Sequence, residues 1–175
     1  MFDNFENLVL KRQSCRVYNG KKVDLETLDK ILDLSRNCPS ACNSQPWEMY
    51  VVTKDEDLPK MRKILQVGNV NSFLDNATAF VALVEHTPTL RADVPVPSNH
   101  FVKYDIGELI AYITLSAKAL GVSTCIIGRI DKDLLKKTFL IGDDKDCNVV
   151  ISFGYSDIPT RKKIRKDKKD TIIYV

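Results

Sequence analysis

An α+β fold is what this sequence predicts, and three observations carry the prediction. Helical and strand-like segments alternate along the 175 residues, so both kinds of element must pack in one body. The strands are too few and too irregularly spaced for a doubly wound sheet. No repeat, linker or shift of composition marks a boundary, so residues 1–175 read as a single domain. At 44% hydrophobic content the chain has enough apolar material for one core.

Taken in order, Phe2–Lys11 places Phe2, Phe5, Leu8 and Val9 at helical spacing, with Asp3 and Asn4 near its start. Arg12-Gln13-Ser14-Cys15-Arg16 follows, then Val17-Tyr18 and a turn at Gly20. Asp24 is a favourable N-cap for a second helix over Leu25–Asn37, with Leu25, Leu28, Ile31, Leu32 and Ser35 on one face. Pro39 stops that helix, because its ring clashes with the preceding turn and it has no N–H to donate. Ser40, Asn43, Ser44 and Gln45 then crowd hydrogen-bonding side chains into one loop. Amide side chains suit the edge of a planar heterocycle, although composition alone fits an ordinary surface turn equally well.

Trp47–Thr53 has the aromatic and β-branched content of a buried strand. Asp55–Gln66 reads as a helix with Leu58, Met61, Ile64 and Leu65 inward, and its Pro59 is tolerated only in the first turn. Phe80–Glu85 is a second strand. His86–Asn99, with Pro88, Pro95 and Pro97, is an irregular excursion. A long helix is predicted over Val102–Leu120. Its Ile106, Leu109, Ile110, Ile113, Leu115, Ala117 and Ala119 nearly encircle it, more apolar surface than a small domain covers. Gly121 ends it. Val122–Ile127 is a third strand stopped by Gly128, Asp131–Phe139 a short helix capped by Asp131, and Cys147–Gly154 a fourth strand. The last twenty residues hold Arg161, Lys162, Lys163, Arg165, Lys166, Lys168 and Lys169, then a strand-like Thr171–Val175 that needs a sheet edge to join.

Several function classes are excluded. A net charge of +3, with no recognition module, gives no reason to expect nucleic acid as a partner. No run of eighteen apolar residues predicts a membrane span, and the acidic start MFDNFENLVLKRQ is unlike a signal peptide. Cysteines at 15, 38, 42, 125 and 147 are odd in number and lack a C-x-x-C pair, which fits no zinc, iron–sulfur or disulfide framework. The expectation is a cytoplasmic protein with reduced thiols and no metal.

Chemistry concentrates in a few places. Arg12, Ser14 and Arg16 occupy alternate positions, so an extended backbone aims all three the same way. Guanidinium groups bind phosphate through paired, charge-assisted hydrogen bonds. The same cations also suit a helix C-terminus. Four segments then occur in a telling order: R-x-S-x-R at 12–16, P-S-x-x-N-x-Q-P-W at 39–47, A-L-G at 119–121 leading through a strand to Ile127-Gly128, and Gly154-Tyr155 followed by Pro159, Arg161, Lys162 and Lys163. Together they resemble the nitroreductase-like FMN-dependent oxidoreductases, of which this would be a short member.

That resemblance implies a nitroreductase-like mixed β-sheet flanked by helices in an intertwined homodimer. The long helix would lie at the interface, and a C-terminal segment from about 156 to 175 would reach the partner subunit. It implies FMN as cofactor, NADH or NADPH as reductant, and two electrons passed by ping-pong hydride transfer to nitroaromatics, quinones or similar small acceptors. It places Arg12 and neighbouring Gln13 at the FMN phosphate, Ser14 near phosphate or ribityl oxygens, and Arg16 at the pyrimidine end of the ring. Pro39, Ser40, Ala41 and Asn43 would contact the flavin from the partner subunit. Asn69 would lie near the isoalloxazine, the backbone of Ile127 and Gly128 would approach N5 and O4, and Arg161 and Lys163 would complete the phosphate clamp. A lysine that some members carry near Asn69 is missing. No side chain is implied as a catalyst, since the chemistry occurs at flavin N5. The alternative is a non-catalytic flavin-binding protein that stores or senses FMN.

Overall fold

The computed structural model describes residues 1–175. Its helices are α1 (Phe2–Lys11), α2 (Leu25–Ser35), α3 (Leu58–Leu65), α4 (Val102–Ala119) and α5 (Lys132–Phe139). Its strands are β1 (Trp47–Val52), β2 (Ala79–Glu85), β3 (Ser123–Ile127) and β4 (Asp146–Gly154). The strands form one sheet in the order β1-β2-β4-β3, each neighbour antiparallel. A parallel bridge between Ser14 and Thr124 extends the sheet beyond β3 and makes it mixed.

Central β2 shows why the sheet is covered on both faces. Every one of its residues is buried, and the two-residue period of a strand sends alternate side chains to opposite sides. Phe80, Ala82 and Val84 meet Met61, Ile64 and Leu65 of α3 and Leu135 of α5. Ala79, Val81 and Leu83 meet Leu28 and Ile31 of α2 and Leu109 and Ile113 of α4. The result is a three-layer α/β/α body with two cores.

Local chemistry fixes the helix ends. Asp24 accepts from the Thr27 N–H at 2.7 Å, and Asp131 from the Leu134 N–H at 3.0 Å, each satisfying a donor that the first helical turn leaves free. Pro59 lies in the first turn of α3. Gly121, with φ +75°, turns the chain out of α4. No helix is long and apolar enough to cross a membrane.

Four expectations need correction. Leu25 is exposed at the start of α2, so the buried stripe is Leu28, Ile31, Leu32 and Ser35. Strand β1 is an edge strand and only partly buried, because nothing pairs with its outer side. Helix α4 is covered on one side only. Asp105, Thr114 and Ser116 are among its buried residues, while Tyr104, Tyr112 and Leu120 stand in solvent. Thr171–Val175 forms no strand, because no strand of the sheet pairs with it, and its Ile173, Tyr174 and Val175 are exposed.

The Asp131 cap gives a direct test of this assignment. Asp131→Ala is expected to lower unfolding free energy by about 1 kcal/mol in urea, whereas Asp131→Asn, which keeps an acceptor, should stay close to the parent. Equal losses in the two variants would mean that the carboxylate acts by charge rather than as a cap.

Candidate functional site

The outer edge of β3 is built by the residues that leave α1. Arg12 closes the helix with φ −66° and ψ 125°, so the chain turns extended at once. The Cys15 N–H donates to the Thr124 carbonyl at 2.8 Å, and the parallel register places Arg16 level with Ile126. Tyr18 then locks the segment. Its hydroxyl lies 2.8 Å from Ser152 Oγ, and its ring lies so close to Gly154 that a Cβ there would sit 2.7 Å from Cδ1. Gly154 is therefore required by packing, not by a turn.

This edge collects cations that nothing neutralises. Arg36 pairs with Asp33 and Arg91 with Asp93, Arg62 donates to the Leu74 and Ala77 carbonyls, and Arg165 donates to the Ile164 carbonyl. The remaining guanidiniums, those of Arg12, Arg16, Arg129 and Arg161, have neither hydrogen bond nor ion pair, and all four lie along β3 or just past it. Arg12 is the extreme case: Nε and Nη2 are buried without any partner. Burial holds its guanidinium below the ordinary arginine value. Lys163 donates to the Val9 carbonyl nearby, and burial together with Arg165 and Arg12 lowers it from the usual lysine value. The Arg161 N–H donates to Gln13 Oε1 at 3.1 Å, which ties the C-terminal segment to this edge. An orphaned buried cation with further cations beside it is a site for an anion.

At the far end of β3 the turn is open. Gly128 is exposed and its N–H makes no hydrogen bond within the chain. A Cβ there would meet only the Asn148 carbonyl, at an ordinary 3.8 Å. Packing within the chain thus gives no reason for glycine, and a close-approaching ligand does. Ile127 ends the buried strand beside it. Asn69 has a left-handed backbone and an exposed amide with no partner, whereas Asn71 is committed to the Leu65 carbonyl at 2.9 Å. No motif in the sequence marks Arg129, whose side chain reaches back across Gly68.

The remaining predicted residues lie elsewhere. Pro39, Ser40, Ala41 and Asn43 precede β1, on the opposite edge of the sheet, three strand spacings or roughly 14 Å from β3. Cys42, Asn43 and Gln45 all take left-handed backbone angles, a conformation costing about 1 kcal/mol for a residue with a side chain. Two bonds hold that shape: Ser40 Oγ accepts from the Gln45 N–H, and Asp105 of α4 accepts from the Ala41 N–H, both at 3.0 Å. One chain therefore brings together Arg12, Gln13, Ser14, Arg16, Arg161 and Lys163, with Asn69, Ile127 and Gly128 farther along, and leaves the 39–43 loop apart. The concavities at the β3 edge are small, about 90 and 160 Å³, against roughly 300–1,000 Å³ for an enclosed ligand.

The nitroreductase family model matches residues 9–69 and 66–155. The chain belongs to the nitroreductase family. Among relatives of this nitroreductase-family chain, a protein of Archaeoglobus fulgidus is 30% identical over 167 residues, 93% of this chain and 86% of that protein. It bears the provisional name NADH dehydrogenase/NAD(P)H nitroreductase. Among solved structures, an oxidoreductase containing FMN is 26% identical with a TM-score of 0.82, covering 95% of this chain and 89% of that one. A nitroreductase family protein from Streptococcus pneumoniae TIGR4 shares the fold at TM-score 0.85 and 19% identity, covering 98% and 100%.

Burying Arg12 unpaired costs stability in the ligand-free chain. Arg12→Met keeps the stem and removes the charge, so the ligand-free protein should gain about 1 kcal/mol in urea unfolding. A loss instead would mean that the guanidinium has partners within the folded chain.

Proposed function

We propose that this protein is an FMN-dependent NAD(P)H oxidoreductase, passing two electrons by ping-pong hydride transfer from NADH or NADPH to a nitroaromatic, quinone or similar small acceptor. The observation that carries this is the half-buried Arg12 guanidinium, whose Nε and Nη2 are buried without partners, with Lys163 and Arg161 beside it. A phosphate monoester would supply the missing acceptors. FMN fits this chain: Arg12, Lys163 and Arg161 would hold its phosphate, with Gln13 acting through the Arg161 backbone as a positioning arm. Ser14 would take ribityl or phosphate oxygens, and Arg16 the pyrimidine end. Asn69 and the free N–H of Gly128, next to Ile127, would face the ring. When bound, FMN supplies the two-electron chemistry, and the protein's part is to hold it and leave one face open.

The loop of Pro39, Ser40, Ala41 and Asn43 would come from a second copy. Supporting this homodimer, α1 buries none of its residues, and Phe2, Phe5 and Leu10 of α1 stand exposed with Tyr112 of α4 and Leu120 at its C-terminal end. The C-terminal segment is held to its own chain through Arg161 and Lys163. Its remainder, up to Val175, is free to reach the partner and find the edge that Thr171–Val175 lacks. We place the protein in the cytoplasm, where its five free thiols persist.

The purified protein should be yellow, dimeric by light scattering, and carry about one FMN per chain. It should oxidise NADH or NADPH with menadione or a nitroaromatic. Bound FMN without turnover would favour the storage or sensing role, and failure to take up added FMN would remove the proposal.

Arg16 links this placement to redox behaviour. Reduction puts negative charge on the flavin's pyrimidine side, and a fixed guanidinium there favours the reduced form. One charged hydrogen bond is worth roughly 1.5–3 kcal/mol. For a two-electron couple, Arg16→Gln should lower the midpoint potential by about 30–65 mV. Spectroelectrochemistry of both proteins at one pH decides it: an unchanged midpoint with FMN still bound would place Arg16 elsewhere.

A further inference from the structure

Arg129 is a cation too many for the cofactor alone. The phosphate-binding cations gather around Arg12, which the parallel register sets level with Val122, at the start of β3. Arg129 lies past the other end, seven residues on, roughly 20 Å away at strand rise. It cannot share that phosphate.

Its position is built. The guanidinium lies over Gly68, where an added Cβ would sit 2.7 Å from Nη2 and 3.5 Å from Cζ. Gly68 also has φ +70°, so glycine serves both the turn and the side chain resting on it. The ledge beneath is held from several sides. The Asn69 N–H donates to the Gln66 carbonyl at 3.1 Å, Asn71 Nδ2 to the Leu65 carbonyl at 2.9 Å, and Gln66 Nε2 to Asp75 at 2.9 Å. The Asp131 N–H donates to the Ile64 carbonyl at 3.0 Å and fixes the turn that carries Arg129. No carboxylate pairs with the guanidinium, and Asn69, which follows Gly68 in the chain, has an exposed amide that makes no hydrogen bond. Both are donors without acceptors, and Gly128, the residue before Arg129, has a free N–H as well.

We infer that Arg129 recognises an anionic group on the electron acceptor, so that aromatic acceptors bearing a carboxylate are preferred to their neutral counterparts. This rests on the proposed flavin site, in which the ring occupies the Gly128 end. A planar acceptor stacked there would carry its substituent out toward Arg129, whose planar fork pairs with a carboxylate through two parallel bonds.

The test compares 4-nitrobenzoate with 4-nitrobenzamide, which are close in size and reducibility. Each takes two electrons and two protons to give the nitroso compound and water. With the FMN-loaded protein and saturating NADH or NADPH, kcat/KM for the benzoate should exceed that for the benzamide. Arg129→Gln should cut this ratio about tenfold, mainly through KM for the benzoate. Arg129→Lys, which keeps charge without the fork, should recover part of it, and added salt should lower the ratio in the parent protein. A parent ratio near one, or a ratio unmoved by Arg129→Gln while both probes still turn over, overturns the inference and leaves the flavin proposal standing. A rise in KM for NADH or NADPH without change in the ratio also overturns it, assigning Arg129 to the nucleotide. Absence of turnover with both probes in the FMN-loaded parent would instead sink the oxidoreductase proposal, and this inference with it.

Discussion

Unneutralised positive charge at one edge of the sheet is the constraint on which the rest of this molecule turns. A buried guanidinium without a partner is unfavourable, so the fold must impose it. Arg12 is forced inward because α1 ends there and the chain goes extended immediately, with Cys15 bonded to β3 three residues later. Tyr18 and Gly154 close the other end through packing that tolerates no added Cβ. Between those two anchors the side chains of 12–16 have little choice of direction. An anion that binds this edge in the folded chain then stabilises the fold by linkage, offsetting part of that cost.

The opposite end of β3 is held by polar contacts instead. Glu85, almost fully buried at the end of β2, accepts from Asn148 at 2.7 Å and pairs with Lys103 of α4. Asn148 also reaches Asp146, and Lys132 bonds both Asp146 and Asn148, at 3.0 and 2.6 Å respectively. This network joins β2, β4, α4 and the first turn of α5. The carbonyl of Asn148 is the contact nearest Gly128, so the Gly128–Asp131 turn rests on a ledge whose polar groups satisfy one another. The exposed N–H of Gly128 and the guanidinium of Arg129 are what remain uncommitted there.

How much of this was legible in the sequence depended on whether the deciding partner was local. The caps at Asp24 and Asp131, the tolerated Pro59 and the turn at Gly121 follow from residues within four positions, and the structure has each of them. The apolar positions of α4 nearly encircle it in the sequence pattern, yet its Asp105 is buried and accepts a backbone N–H from a loop distant in sequence. Without that loop in view, a buried carboxylate is not expected. Thr171–Val175 has strand propensity, but propensity needs a partner strand and none pairs with it in the chain. The R-x-S-x-R pattern was visible, while the burial that leaves Arg12 without partners is tertiary. Arg129 carried no signal at all, because its placement depends on a glycine in a different part of the chain.

The separation between the two polar loops has a physical consequence of its own. The 39–43 loop is held in left-handed geometry by Ser40 and Asp105, yet that shape serves no packing purpose within the chain, since Pro39, Cys42 and Asn43 are exposed. Asp105 keeps one carboxylate oxygen buried and unpaired while doing so. Backbone strain and an unsatisfied oxygen persist where something outside the chain rewards them. The β3 edge shows the same signature at Arg12. Two such half-satisfied surfaces at opposite edges of one sheet cannot complete each other within a chain; in the homodimer proposed above, a two-fold axis would set each edge of one copy against the other edge of its partner. In that proposed homodimer the exposed faces of α1 and α4 would supply the apolar contact, and the two polar edges would set its register.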